Sequence, residues 1–205
     1  YDYAVVVFDI PESERVTRGG DFVDLSAIPL VELPPQDYLA DKVNASDPLM
    51  VTTVGYGVGE YLVGPGEGGN AGGPIFDLSV LGLRWMTDQT AALSFMGPDE
   101  HILFTSQNPA REHAGSCDGD SGGPLFYEDQ GVEYQIGITS WGEVWCRATA
   151  FDARTDSARA VEFLGCVMAP GAALEDILAC GCTEVDSRGV CPSVRNHAGP
   201  ARFKR

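Results

Sequence analysis

Cys117-Asp118-Gly119-Asp120-Ser121-Gly122-Gly123-Pro124 packs three glycines and a proline around one serine. Ser121 therefore sits in a tight turn whose backbone a substrate can approach closely, since glycine puts no Cβ in the way. Amides of such a turn can point together into a concavity that holds a developing oxyanion, worth roughly 10²–10³ in rate per donor. The same string also fits an ordinary glycine turn without chemistry, for which any Gly-x-Ser-Gly would serve.

The surrounding composition narrows the class. Among 205 residues, 44% are hydrophobic and 21% charged, the balance of a globular chain that buries a core. Glycine (25) and proline (13) are abundant, which favours many turns and an all-β architecture. The net charge of −17, from 13 basic and 30 acidic residues, argues against nucleic acid as a partner, because phosphates would be repelled. It fits solubility by like-charge repulsion, and also a preference for cationic partners. No apolar run is long enough to span a membrane. The six cysteines, at 117, 146, 166, 180, 182 and 191, lack the C-x-x-C spacing of zinc or redox sites. They read as disulfides formed in an oxidising compartment. Zinc held by Cys180, Cys182 and Cys191 with His197 is the minor alternative; the main reading has neither metal nor cofactor. The chain opens Tyr-Asp-Tyr and runs straight into apolar residues, so it is expected to be cut from a longer protein.

Along the chain, Tyr3 to Ile10 is a buried strand ended by Pro11. Residues 11–50, broken by Pro29, Pro34, Pro35 and Pro48, read as a connector lying on a surface rather than a packed element. Met50 to Gly57 restarts a strand. The glycine-rich stretch that follows lacks a Gly-Lys-Ser/Thr ending and is expected to be a loop, not a phosphate cradle. Leu83 to Phe95, Ile102 to Phe104, Leu125 to Tyr127 and Tyr134 to Trp141 are further strands, spaced as in a barrel or sandwich. Helical spacing appears only at Ala158, Val161 and Leu164 and again at Leu174, Ile177 and Leu178. The basic tail after about residue 183 carries little apolar content, and disorder is the expectation there.

With these pieces in view, Gly119 to Pro124 is identical to the nucleophile signature of the chymotrypsin/trypsin family of serine endopeptidases. The resemblance extends in the family's order. Val51-Thr52-Thr53-Val54-Gly55-Tyr56-Gly57 resembles the strand opening the second barrel, and Ser106 to Ala110 a segment of bacterial and fungal members. Ile138-Thr139-Ser140-Trp141-Gly142 resembles the substrate-binding strand, and Ala153-Arg154-Thr155-Asp156 with the following helix the bacterial-type C-terminal end. It covers residues 1 to about 165. The implied fold is an all-β, chymotrypsin-like double β-barrel with only the second barrel complete and a short C-terminal helix. Residues 1–49 are then the last strand of the first barrel and a connector. Residues 50–165 are the second barrel, and residues 166–205 a cysteine-containing appendage with the basic tail.

The resemblance also assigns roles. Ser121 would attack the scissile carbonyl, with the amides of Gly119 and Ser121 as oxyanion hole. Asp120 resembles the aspartate that receives a new N-terminal ammonium after zymogen cleavage. Asp2, opening the apolar strand Asp2-Tyr3-Ala4-Val5-Val6-Val7, matches the aspartate that orients the histidine; a solvated strand end is the other reading. The histidine itself would lie about 45 residues before that aspartate, upstream of Tyr1. Of the histidines present, His101 and His197 read as solvated, and His113 is at most a substitute. Cys117 and Cys146 match the disulfide bracing the primary pocket, which would contribute about 3 kcal/mol. Cys166, Cys180, Cys182 and Cys191 can form two bridges in three ways, with Cys180–Cys182 the strained choice. Ser140, Trp141 and Gly142 would bind substrate as an added strand. Gly115 stands at the pocket floor where an aspartate would select Arg or Lys, so small or apolar side chains are expected at the cleavage site. Asp152 could supply a carboxylate instead, unless Arg154 neutralises it.

The implied protein is a secreted bacterial monomer acting on protein or peptide substrates. Two other readings remain: a non-catalytic protease homologue serving as a binding module, and an inactive fragment with exposed strand edges.

Overall fold

The computed structural model describes residues 24, 30–44, 46–57, 61–63, 74–76, 85–97, 100–143 and 145–180. Asp2, the strand expected at Tyr3–Ile10, His197, Cys182, Cys191 and the basic tail lie outside them. The chain divides into two compact units, residues 1–160 and 161–205.

In the first unit, strands β1 (Leu49–Gly55), β4 (Trp85–Met96), β5 (Ile102–Ser106), β6 (Pro124–Asp129), β7 (Val132–Gly142) and β8 (Thr149–Arg154) close a barrel in the order β1-β4-β5-β8-β7-β6. Every pairing in it is antiparallel. This is the all-β, chymotrypsin-like architecture expected from the sequence. Strands β2 (Tyr61–Val63) and β3 (Pro74–Phe76) pair in a separate two-stranded sheet, so the glycine-rich stretch read as loop contains a short ladder. Its strands are three residues each, too short for periodicity to register.

Alternation along the strands sends Val51, Leu103, Leu125 and Ile136 inward. Their full burial contributes roughly 1.5–3 kcal/mol each. Leu39 joins this core and is fully buried, against the expectation of a connector lying on the surface. The prolines that interrupt periodicity leave room for a single turn to insert one leucine. Tyr38 and Lys42, flanking it, both donate to the Asp129 carboxylate at the end of β6, at 2.5 and 2.8 Å.

A buried ion pair fixes the same turn. Arg154 Nε and Nη2 donate to the two Asp156 oxygens at 2.8 and 2.9 Å. Asp156 also accepts the Leu39 amide on Oδ2 and the Asp37 amide on its carbonyl. The guanidinium lies 3.8 Å from the Phe95 ring centroid and bonds the Glu100 carbonyl. Arg154 is thus committed to Asp156, not to Asp152.

The second unit contains most of helix α1 (Ala158–Val167) and all of α2 (Leu174–Ala179). Glu175 and Asp176 in the first turn of α2 suit its positive end. A Cys166–Cys180 disulfide closes this unit. It consumes the Cys180 thiolate, so the zinc alternative loses a ligand.

Replacing Arg154 by Met strands a buried carboxylate, and should lower stability in urea unfolding by about 3–5 kcal/mol. A loss under about 1 kcal/mol would mean that the Leu39 amide suffices for the Asp156 carboxylate.

Candidate active site

Three strands converge on the serine turn between Cys117 and β6. Gly119 and Gly122 take φ of +95° and +86°, left-handed conformations that side chains rarely adopt. The turn's internal bonds use the amides of Asp120 and Gly123, which reach the carbonyls of Cys117 and Asp120 at 3.1 and 2.8 Å. Two bonds then pin it to β7: Gly122 donates to the Thr139 carbonyl and Thr139 to the Gly123 carbonyl, each at 2.8 Å. Ser121 emerges exposed, its hydroxyl donating to the Ser140 carbonyl at 3.3 Å.

Asp120 points the other way and is buried. Its Oδ1 accepts the Gly57 amide at 2.7 Å and its Oδ2 the Cys117 amide at 2.8 Å. Burial pushes this carboxyl up, and the amides of Cys117, Gly57 and Tyr56 hold it back. A Cβ on Gly55 would fall 1.8 Å from Asp120 Oδ1. One on Gly57 would fall 2.6 Å from the Asp118 carbonyl and 2.7 Å from Asp120 Oδ1. The end of β1 is therefore a side-chain-free socket for this carboxylate. Gly55-Tyr56-Gly57 was visible in the sequence, but only its contact with Asp120 gives the two glycines a purpose.

Beside Ser121 lies a cleft of about 260 Å³ lined by Ser116, Cys117, Asp118, Thr139, Ser140, Trp141, Gly142, Glu143 and Cys146. The Cys117–Cys146 disulfide joins two parts of its wall, as the resemblance implied. Glu143 accepts the amides of Trp145, Arg147 and Ala148 and so shapes the loop leading to Cys146. Trp141 stacks on Phe151 with centroids 3.6 Å apart, and walls this cleft and a neighbouring one of about 210 Å³. Ser140, Trp141 and Gly142 thus stand together with Ser121. Gly115 is not in the lining; it adjoins Ser116 and packs against the Gln107 side chain.

Neither described histidine lines the cleft beside Ser121, although His101 lines the neighbouring one. His113 Nδ1 lies 3.0 Å from Ser106 Oγ, and the His101 ring packs on Gly97. Asp2 lies outside the described residues.

Asp152 is another buried acid. It pairs with Thr139 across β7 and β8, and Thr105 Oγ1 donates to its Oδ2 at 2.9 Å. Burial pushes its carboxyl up to about 7, and the hydroxyls of Thr105 and Thr139 oppose the rise.

Two outcomes follow from these acids. Gly57→Ala should destabilise the fold by about 1–3 kcal/mol in urea unfolding, because the atoms in its way include backbone of the serine turn. An unchanged midpoint would show that the socket is slack. A raised folded pKa means the native state holds the Asp152 proton where the unfolded chain has lost it. Stability from this group is full below about pH 4 and falls as pH rises to about 7, by up to about 1.4 kcal/mol per unit. Asp152→Asn should flatten that decline in pH-resolved unfolding; an unaltered slope would assign it to other groups.

No curated protein matches the chain. The trypsin family model matches residues 98–163, from the approach to β5 into α1, with the serine turn, the cleft walls and β8 inside the matched span. The match covers less than half of the chain and supports a trypsin/chymotrypsin-like family and, generally, a protease-type enzyme.

Proposed function

We propose that the chain carries the nucleophile half of a serine endopeptidase that cleaves peptide bonds through an acyl-enzyme. The observation that carries this is the pinning of one exposed serine, Ser121, beside a walled cleft by bonds to β7 on one side and a buried Asp120 on the other. In this reading Ser121 Oγ attacks the carbonyl, and the amides of Gly119 and Ser121 receive the oxyanion. Ser140, Trp141 and Gly142 at the open end of β7 align the substrate as an added strand. A histidine other than His101 and His113, oriented by Asp2, takes the serine proton; following the family order, it comes from sequence outside these 205 residues. Asp120 is the residue that in this family receives an activating ammonium. Here its oxygens already have backbone donors, which supports a turn held in place without one.

The binding-module reading shares the cleft but needs no reactive serine, and a fluorophosphonate separates the two. The chain alone should hydrolyse peptide substrates only at the residual level, about 10³–10⁴ over water, that survives loss of a triad base. Added free imidazole should accelerate labelling of Ser121, and Ser121→Ala should abolish it. A folded chain that stays unlabelled with imidazole favours the binding module. Full activity without imidazole, lost in His113→Ala, would make His113 the base.

A further inference from the structure

The loop between β7 and β8 folds around a single side chain. Glu143 Oε2 accepts the Trp145 amide at 2.8 Å, and Oε1 accepts the amides of Arg147 and Ala148, the latter at 3.1 Å. The Glu143 amide donates to the Thr149 carbonyl at 3.1 Å, and its carbonyl accepts the Cys146 amide at 3.0 Å. Backbone amides that converge in this way form a concavity suited to an anion. Here the anion comes from the first residue of the loop itself. Cys146, inside the loop, takes φ of +53°, a left-handed conformation that a non-glycine residue keeps only where its surroundings fix it.

Both carboxylate oxygens are engaged, so the Glu143 side chain is held from its tip back to the main chain. The preceding residue is Gly142, the last of β7. Gly142 pairs with Ala150 on β8, and a Cβ on it would fall 3.1 Å from the Thr149 carbonyl, the oxygen that the Glu143 amide reaches. The neck of the hairpin is therefore narrow, and its backbone follows Glu143. The nucleophile is anchored elsewhere. The serine turn is pinned to β7 at Thr139, and Trp141 is steadied by its stack on Phe151.

An acid in the lining of the cleft, in a chain of net charge −17, would ordinarily attract cations. Glu143 instead has its charge answered by three amides of its own loop, and charge-assisted bonds of this kind fix geometry. An added strand gains from backbone pairing only when the receiving strand holds its donors and acceptors in register. A ligand of one residue beside Ser121 reaches Ser140, whereas only a longer peptide reaches Gly142.

We propose that Glu143 is a positioning residue that sets the Gly142 end of β7, and thereby the affinity for extended peptides, without changing the reactivity of Ser121. That the extended peptide is a substrate rests on the endopeptidase reading; the action of Glu143 on its affinity does not.

Glu143→Ala and Glu143→Gln, in the full 205-residue chain, test this by NMR. Alanine should remove hydrogen-exchange protection from the amides of Trp145, Arg147 and Ala148. Glutamine, whose one amide oxygen can stand at Oε1, should keep it for Arg147 and Ala148 and lose it for Trp145. An N-acetyl tripeptide amide of small apolar residues should bind the alanine variant about tenfold more weakly, the loss of one backbone bond. The glutamine variant should lose several-fold, and carries the comparison if the alanine variant fails to fold. An N-acetyl amide of a single such residue should bind all three proteins alike. A small alkyl fluorophosphonate with imidazole should label Ser121 at one rate throughout.

Equal weakening of both ligands, slowed labelling, protection that persists in the alanine variant, or no tripeptide binding to the unaltered chain would overturn the proposal. Two outcomes separate it from the reading of the serine. Weakening confined to the tripeptide, with Ser121 unlabelled in every protein, sinks the endopeptidase reading alone. Labelling with tripeptide affinity indifferent to both variants sinks the Glu143 assignment alone.

Discussion

A carboxylate removed from water must recover its hydration energy from somewhere, and Asp120 recovers it from backbone amides at the end of β1 and at Cys117. That constraint organises the serine turn. Asp120 and Ser121 are adjacent, so turning one side chain inward to its amides turns the next outward to solvent. The carboxylate needs space as well as donors, and Gly55 and Gly57 give it by having no side chains. Had either carried a methyl group, the acid could not seat, and the turn would have to lift from the barrel. The rigidity of the nucleophile is thus borrowed from a strand more than sixty residues earlier in the chain.

The barrel buries three aspartates and satisfies each differently. Asp120 is solvated by amides, Asp156 by a bidentate guanidinium and the Leu39 amide, and Asp152 by the Thr105 hydroxyl. The first two hold elements together. Amides and guanidinium donate at fixed angles, so each of these acids locks the position of the segment that donates to it.

Closure of the barrel decides which of these acids matter to the cleft. Antiparallel pairing of β8 between β5 and β7 places Asp152 level with Thr139, a residue of the cleft wall. The disulfide from Cys117 to Cys146 ties the serine turn to the loop after β7, and Glu143 folds that loop by gathering three of its amides. The connector is tied to the barrel through Leu39 in its core and through Asp156, which the Arg154 guanidinium pairs.

Much of this was legible in the chain. Short apolar runs bounded by turn residues marked most of the barrel strands, and the two helices showed their three-to-four spacing. The glycine-serine string fixed the turn, since few residues tolerate its backbone angles. The cysteine count announced disulfides without choosing the Cys166–Cys180 pairing, which depends on where two helices bring their ends. Nor could the sequence say that Leu39 of a proline-rich connector enters the core. It offered Arg154 as a neutraliser of Asp152, two positions away. In a strand, residues i and i+2 share a face, and proximity of that kind made the pairing plausible. The folded chain instead turns after β8 and brings Asp156 against the guanidinium in bidentate geometry. By itself, the sequence determined most of the barrel strands, the serine turn and the supply of acids, because those follow from local backbone preference and short apolar runs. Only the tertiary structure decided which acid is met by amides, which by a guanidinium and which by a hydroxyl, because partners come from strands distant in the chain and are set by barrel register.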